Sequence, residues 1–225
     1  AKLEGVRKKI LKRRILPLRM SAYYNQTISA LLSIVEEMSV LSTDAKVTNS
    51  INAYTTFLQS KERANIERDM GATGFSIKKF KFFVYKKYVE LIAQQEALLE
   101  TFAVNATDEQ KAFLAATVQG APIDEVKKMR VVAVASIQQG FDLKGIKADD
   151  WRKHMGDKIK LLKVVEDKIA DDLIAQVTEI EHSAQNEFTT LLITTLVLLA
   201  VTAVFVVYVV RGITRPVGFM TTAMS

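Results

Sequence analysis

The stretch INAYTTFLQSKERANIERDMGATGF (51–75) decides the fold. Within it, Ile51, Tyr54, Leu58, Lys61, Asn65, Arg68, Ala72 and Phe75 recur at spacings of 3, 4, 3, 4, 3, 4 and 3. That period puts them on one face of an α-helix. Both ends of the stripe are apolar, so the face is expected to point into a core. Its middle is polar and positive, with Lys61, Asn65 and Arg68. An unpaired charge in a core costs on the order of several kcal/mol. These groups therefore need a partner, and a bound anion is one candidate.

The helical period extends outward over the rest of the chain. Only three prolines and nine glycines interrupt 225 residues, and no stretch alternates with period 2 for long. An all-α fold is expected. The chain has no cysteine, which excludes a disulfide, a thiolate metal site and a cysteine nucleophile. His154 and His182 lie 28 positions apart on one expected helix. At a rise of ~1.5 Å per residue they cannot share a metal, and both read as helix-surface residues. The sequence offers no nucleophile with its base and orienter, no glycine-rich phosphate loop and no metal cluster. Neither enzymatic activity nor a cofactor is expected.

The net charge of +6 is local: residues 1–19 carry +7 and the remaining 206 carry −1. No aromatic residue interleaves those charges before Tyr23. They read as a solvated or lipid-facing helix end, and nucleic acid is not an expected partner. The chain starts at Ala1 with no apolar run there, and it is expected to be a piece of a longer protein.

Residues 1–16 read as a short basic helix that Pro17 interrupts, and Tyr23–Leu41 as an amphipathic one. Ser42, Thr43 and Asp44 supply N-cap chemistry for the helix containing the opening stretch. Gly71 and Gly74 are expected to end it. Residues 77–105 form the next helix. Thr107 and Gln110 fit a capping box, and Gly120 with Pro122 breaks the helix that follows. Another helix runs from Ile123 to about Gln138. After a loop bracketed by Gly140 and Gly145, a last helix capped by Asp149 or Asp150 continues unbroken from Trp151 to Val210. Short connections favour antiparallel neighbours in bundles.

Residues 188–210, FTTLLITTLVLLAVTAVFVVYVV, hold no charge, proline or glycine. As a helix they span ~34 Å, enough for a hydrocarbon core of ~30 Å, so the lipid bilayer is an expected partner. Arg211 and Arg215 follow, which places the C-terminus in the cytoplasm and residues 1–187 outside. The basic N-terminus argues the opposite way. The run RGITRPV, with Arg211, Ile213, Pro216 and Val217, resembles the start of a HAMP domain, the signalling linker after the last membrane helix of bacterial receptors. That resemblance favours the first topology.

A second arginine repeats the opening anomaly. Ile123, Val126, Arg130, Ala133 and Ile137 are spaced 3, 4, 3 and 4, with Arg130 mid-stripe. If the two helices face each other, two guanidiniums converge, each a planar donor fork suited to an oxyanion. Structural ion pairs are the alternative: Glu67 of a neighbouring subunit, Glu100, Glu125 or Glu166 for Arg68, and an outward aliphatic stem for Arg130. Arg63 lies on a different face and reads as a surface i, i+4 pair with Glu67.

The run FLQSKERANIERDMGATGF (57–75) resembles the signature of the nitrate- and nitrite-sensing (NIT) domain of bacterial receptors. Lys61, Glu62, Ala64, Glu67 and Arg68 match its pattern, with Asn65 in place of a glycine. Tyr23–Tyr24, Gln94 with Phe102, Met129–Arg130, Trp151 and VEDKI (165–169) are also similar. The resemblance covers about residues 3–180. It implies two stacked up-and-down helical bundles, periplasmic, binding nitrate or nitrite through arginines. Arg68 and Arg130 are the matching ligand residues, with Asn65 and Lys61 beside them. The family's earlier first helix, with further arginines, is not matched.

These readings combine into one expectation. Residues 1–187 form an extracytoplasmic sensor, 188–210 a membrane helix in the bacterial inner membrane, and 211–225 the start of a cytoplasmic HAMP linker. The partners are a small anion, the bilayer, a second copy in a homodimer expected from receptor architecture, and a downstream signalling module. Chemotaxis is the expected output, by analogy. The alternatives are a sensor of another anion or organic acid in a histidine kinase or cyclic-nucleotide receptor, and a tail-anchored cytoplasmic scaffold.

Overall fold

A computed structural model describes residues 44–140 and 142–211, with Glu4 and residues 26–28, 30–35 and 37. The expected helix over 1–16 lies outside the described residues except Glu4, and the HAMP-like run lies outside them beyond Arg211, whereas the described residues of 23–41 (26–28, 30–35 and 37) are helical. The chain is helical, with no strand among the described residues. It divides into two compact units, Ala1–Ile174 and Ala175–Ser225.

In the first unit, α1 spans Ala45–Ser76, α2 Phe82–Asn105, α3 Asp108–Thr117 and α4 Ala121–Ala135. It also contains the start of α5, Ala148–Val209. The Asp44 side chain caps α1 by accepting from the Val47 N–H. Thr107 and Gln110 form the reciprocal capping box of α3, at 3.2 and 3.3 Å. Gly120, at φ 90°, is the N-cap of α4, and Pro122 lies in its first turn, where a missing N–H costs nothing.

Contacts along the helices set their directions. Phe57 meets Phe102, Ser60 bonds Gln95, and Phe75 meets Phe80, so α1 and α2 run antiparallel. Tyr85 bonds the Val134 carbonyl while Arg130 reaches Gln95, so α4 runs antiparallel to α2. Trp151 packs on Phe75 while Glu166 pairs with Lys61, so α5 runs antiparallel to α1.

The core is aromatic at one end. Phe75, Phe80, Tyr88 and Trp151 form a chain of ring contacts with centroids 5.1–5.7 Å apart. Burying each such side chain contributes roughly 1.5–3 kcal/mol. This end explains why α1 passes through Gly71 and Gly74 to Ser76 instead of stopping. A Cβ on Gly71 would lie 2.4 Å from the Trp151 indole, and one on Gly74 2.5 Å from the Phe80 ring. The glycines admit rings to the helix surface; they do not end the helix.

In the second unit, the apolar window of α5 has a mean hydropathy of 2.7 and none of it is buried. Its five threonines, Thr189, Thr190, Thr194, Thr195 and Thr202, each bond a carbonyl one turn back at 2.8 Å. Their hydroxyls are thereby satisfied without water. A helix apolar all round with satisfied polar groups fits an apolar medium, and this one is long enough to cross a bilayer.

Candidate anion site

The buried face of α1 departs from the stripe expected from the sequence in its middle, where Lys61, Asn65 and Arg68 are not buried. The ends of that stripe, Ile51, Ala72 and Phe75, are buried, but the buried row that runs the length of the helix is Ala53, Phe57, Ser60, Ala64, Glu67, Gly71 and Gly74, spaced 4, 3, 4, 3, 4 and 3. The face is turned by one residue, and the charge at its centre is the Glu67 carboxylate, 0% exposed. The physical reason is size. Hydropathy weights bulky apolar side chains, whereas this face uses glycine, alanine and serine so that neighbouring rings can approach.

Arg68 therefore turns out of the core. Its side chain is 37% exposed, and Nε lies 3.4 Å from Asp69 Oδ1, a surface contact worth about 0–1 kcal/mol. Its carbonyl, by contrast, accepts the Trp151 indole N–H at 2.9 Å. The expected convergence of Arg68 with Arg130 is not what the helices build, and Arg63 does not hold Glu67.

Arg130 does turn inward, with a side chain 16% exposed. Its Nε donates to Glu67 Oε1 at 2.7 Å and its Nη2 to Oε2 at 2.6 Å. Nη2 also donates to Gln95 Oε1 at 3.0 Å. The Gln95 amide returns a bond to Glu67 Oε2 at 2.7 Å. Lys158 Nζ donates to Gln95 Oε1 at 3.2 Å. Four helices, α1, α2, α4 and α5, thus each contribute one side chain to a single polar cluster.

The electrostatics follow from burial. Burial is the largest influence on Arg130 and would lower its pKa, but the hydrogen bonds and charge of Glu67 outweigh it and raise it. Lys158 has no such carboxylate. Burial, then the Arg130 charge, pull its ammonium down to about 8. Tyr88 is fully buried beside the pair, and its hydroxyl has no hydrogen-bond partner. Burial, then the Glu67 charge, push that phenol well above its ordinary value.

Lys61 and Asn65 belong to another face of α1. Lys61 pairs with Glu166, which Lys163 also reaches at 3.2 Å. The Asn65 amide bonds back to the Lys61 carbonyl at 3.2 Å. His182 is exposed, whereas His154 is half-buried and its Nδ1 has no partner. A cleft of about 720 Å³ opens between the end of α1, residues 142–147 and the start of α5; none of the four expected ligand residues lines it.

Three members of the cluster were not singled out from the sequence. Glu67 enters the sequence reading as a motif residue and as an ion-pair partner for Arg63 or for Arg68 of a neighbouring subunit, not as a buried group of its own chain. Gln94 was quoted where the buried residue is Gln95. Lys158 had a clear signal: Trp151, Met155, Lys158, Leu162, Val165 and Ile169 are spaced 4, 3, 4, 3 and 4, a core stripe with one lysine in it.

A family model described as nitrate and nitrite sensing matches residues 1–174. The chain belongs to the nitrate- and nitrite-sensing family. The chain is similar to the nitrate regulatory protein of Klebsiella oxytoca, at 27% identity over 172 residues. The matched part is 76% of this chain and 42% of that protein, so the chain spans less than half of its relative's length. No solved structure matches. A sensing role with a small anion as ligand follows from family membership.

Proposed function

We propose that this NIT domain takes nitrate or nitrite at the Glu67–Arg130–Gln95–Lys158 cluster. The observation that carries the reading is a charge imbalance. The cluster holds two cations and one carboxylate, which Arg130 alone engages, in a place largely out of water, and Tyr88 presents an unpartnered hydroxyl beside them. A planar monoanion accepts from guanidinium and ammonium N–H groups in such a site, where charge-assisted bonds are stronger than in water. Lys61, Asn65 and Arg68, on the adjoining and more open side of α1, are proposed as the groups that draw the anion in.

Titration calorimetry of the full chain in lipid nanodiscs tests this. Wild type is expected to bind nitrate or nitrite. Arg130→Lys keeps the charge and loses the fork, and is expected to lose about 1.5–3 kcal/mol of binding. Absence of heat with both anions, or unchanged affinity in Arg130→Lys, overturns the assignment.

The receptor context is part of the proposal. Residues 188–210 cross the inner membrane, residues 1–187 lie outside it, and residues 211–225 enter a HAMP linker of a dimeric chemotaxis receptor. The exposed apolar helix and Arg211 immediately after it support this. Anion binding would bias two arrangements of the helices, read by the module downstream. The basic segment 1–19 favours the opposite reading, a tail-anchored scaffold with residues 1–187 in the cytoplasm. The chain lacks cysteine, so Lys160→Cys gives a single thiol at a side chain 79% exposed. Labelling by an impermeant maleimide in intact cells supports the receptor topology; protection overturns it.

A further inference from the structure

Lys158 occupies a core position of α5 between Met155 and Leu162, both at most 3% exposed. Among the described residues its hydrogen bond is to a neutral group, Gln95 Oε1. The carboxylate that could have paired with it is already committed. Arg130 takes both Glu67 oxygens, and Gln95 adds a bond to Oε2. The cluster therefore carries one positive charge in excess, and that excess belongs to Lys158.

Other groups around Lys158 do not remove it. Glu96 on α2 is exposed and acts through solvent, as does Lys127 on α4, of opposite sign. Tyr88 on α2 offers a hydroxyl, not a charge. His154 lies one turn back on α5 itself. Glu67 from α1 and Arg130 from α4 complete the surroundings.

We propose that Lys158 sets the charge of the ligand: one negative charge beside Lys158 and Arg130 completes the cluster. The site then selects monovalent over divalent oxyanions and holds them only while Lys158 is protonated. This rests on the anion-sensing reading above. A monoanion brings the cluster to neutrality. A dianion of similar size, such as sulfate, overshoots to a buried negative charge with no partner. Loss of the Lys158 proton removes the charge that the ligand neutralises. Since burial pulls that ammonium down to about 8, the loss falls in an accessible pH range.

The test is calorimetry of the full chain in nanodiscs with sodium nitrate and sodium sulfate, from pH 6.5 to 9.5. Wild type, Lys158→Arg and Lys158→Met are compared, with thermal melting of each in the absence of nitrate. Wild-type nitrate affinity is expected to be level to about pH 8 and then to fall up to tenfold per pH unit. Sulfate is expected to bind at least about tenfold more weakly. Lys158→Arg should bind with no alkaline fall, because a guanidinium keeps its proton. Lys158→Met should lose about tenfold or more in affinity yet melt no lower than wild type, since it removes a charge in excess.

Wild-type affinity in Lys158→Met, an alkaline fall retained in Lys158→Arg, or equal affinity for sulfate each overturns the inference. If Lys158→Met melts lower, the pH profile of Lys158→Arg decides alone. If Arg130→Lys loses nitrate while Lys158→Met keeps it, only the role of Lys158 falls. If wild type binds neither nitrate nor nitrite at pH 7, the sensing assignment falls, and this inference falls with it.

Discussion

Glu67 is a carboxylate with no exposed surface, held by a bidentate arginine and an amide. Removing either partner of such a pair strands the other. Glu67→Gln and Arg130→Met are each expected to cost roughly 3–5 kcal/mol. The double variant Glu67→Gln with Arg130→Met should recover most of that loss, because it leaves neither charge behind. Thermal melting of the four proteins measures the coupling. Lys158 makes the opposite prediction. Its folded value, about 8, lies below the unfolded value of ~10.4, so between them the unfolded chain holds the extra proton. Stability therefore rises with pH through that window, and the destabilising effect of Lys158 is fully present below pH 8. Lys158→Met is expected to exceed wild type by on the order of 2 kcal/mol at pH 7 and to lose that advantage by pH 10. Melting at the two pH values checks it. At this scale the sequence was legible where a charge interrupted a bulky apolar stripe, as with Arg130. It was misleading where the buried stripe was made of small residues, as around Glu67.

Among elements, α1 and α5 hold glycines with opposite consequences. Gly71→Ala drives a methyl into the Trp151 ring and is expected to cost about 1–3 kcal/mol. Gly156, also helical, would meet nothing within 4 Å. Gly156→Ala should stabilise by about 0.4–1 kcal/mol through the unfolded chain and helix propensity. A pair of melting curves separates the two. Thr107→Ala, which removes the α3 capping box, should cost ~1 kcal/mol. The caps of α1 and α3 are legible, because Asp44, Thr107 and Gln110 act through local hydrogen bonds that spacing alone specifies, whereas α5 starts at Ala148 and holds Asp149 and Asp150 inside its first turn, not at the expected cap. Helix ends set by packing were not, since nothing near Gly71 or Gly74 in sequence announces the indole or the Phe80 ring that covers them.

For the whole molecule, the all-helical architecture and the apolar helix were legible from periodicity and hydropathy. The polar cluster was not, because its four side chains come from positions 67, 95, 130 and 158. Only tertiary packing brings them together. Trp151 is the sole tryptophan of the chain, fully buried, with its N–H held by the Arg68 carbonyl one residue from Glu67. An indole in that niche fluoresces toward the blue edge of its range and is shielded from iodide quenching. Any rearrangement of Glu67 that shifts the α1 backbone alters its emission. If the anion binds at Glu67 and Arg130 as proposed, the domain carries a built-in optical reporter for it, readable in a cuvette without a label.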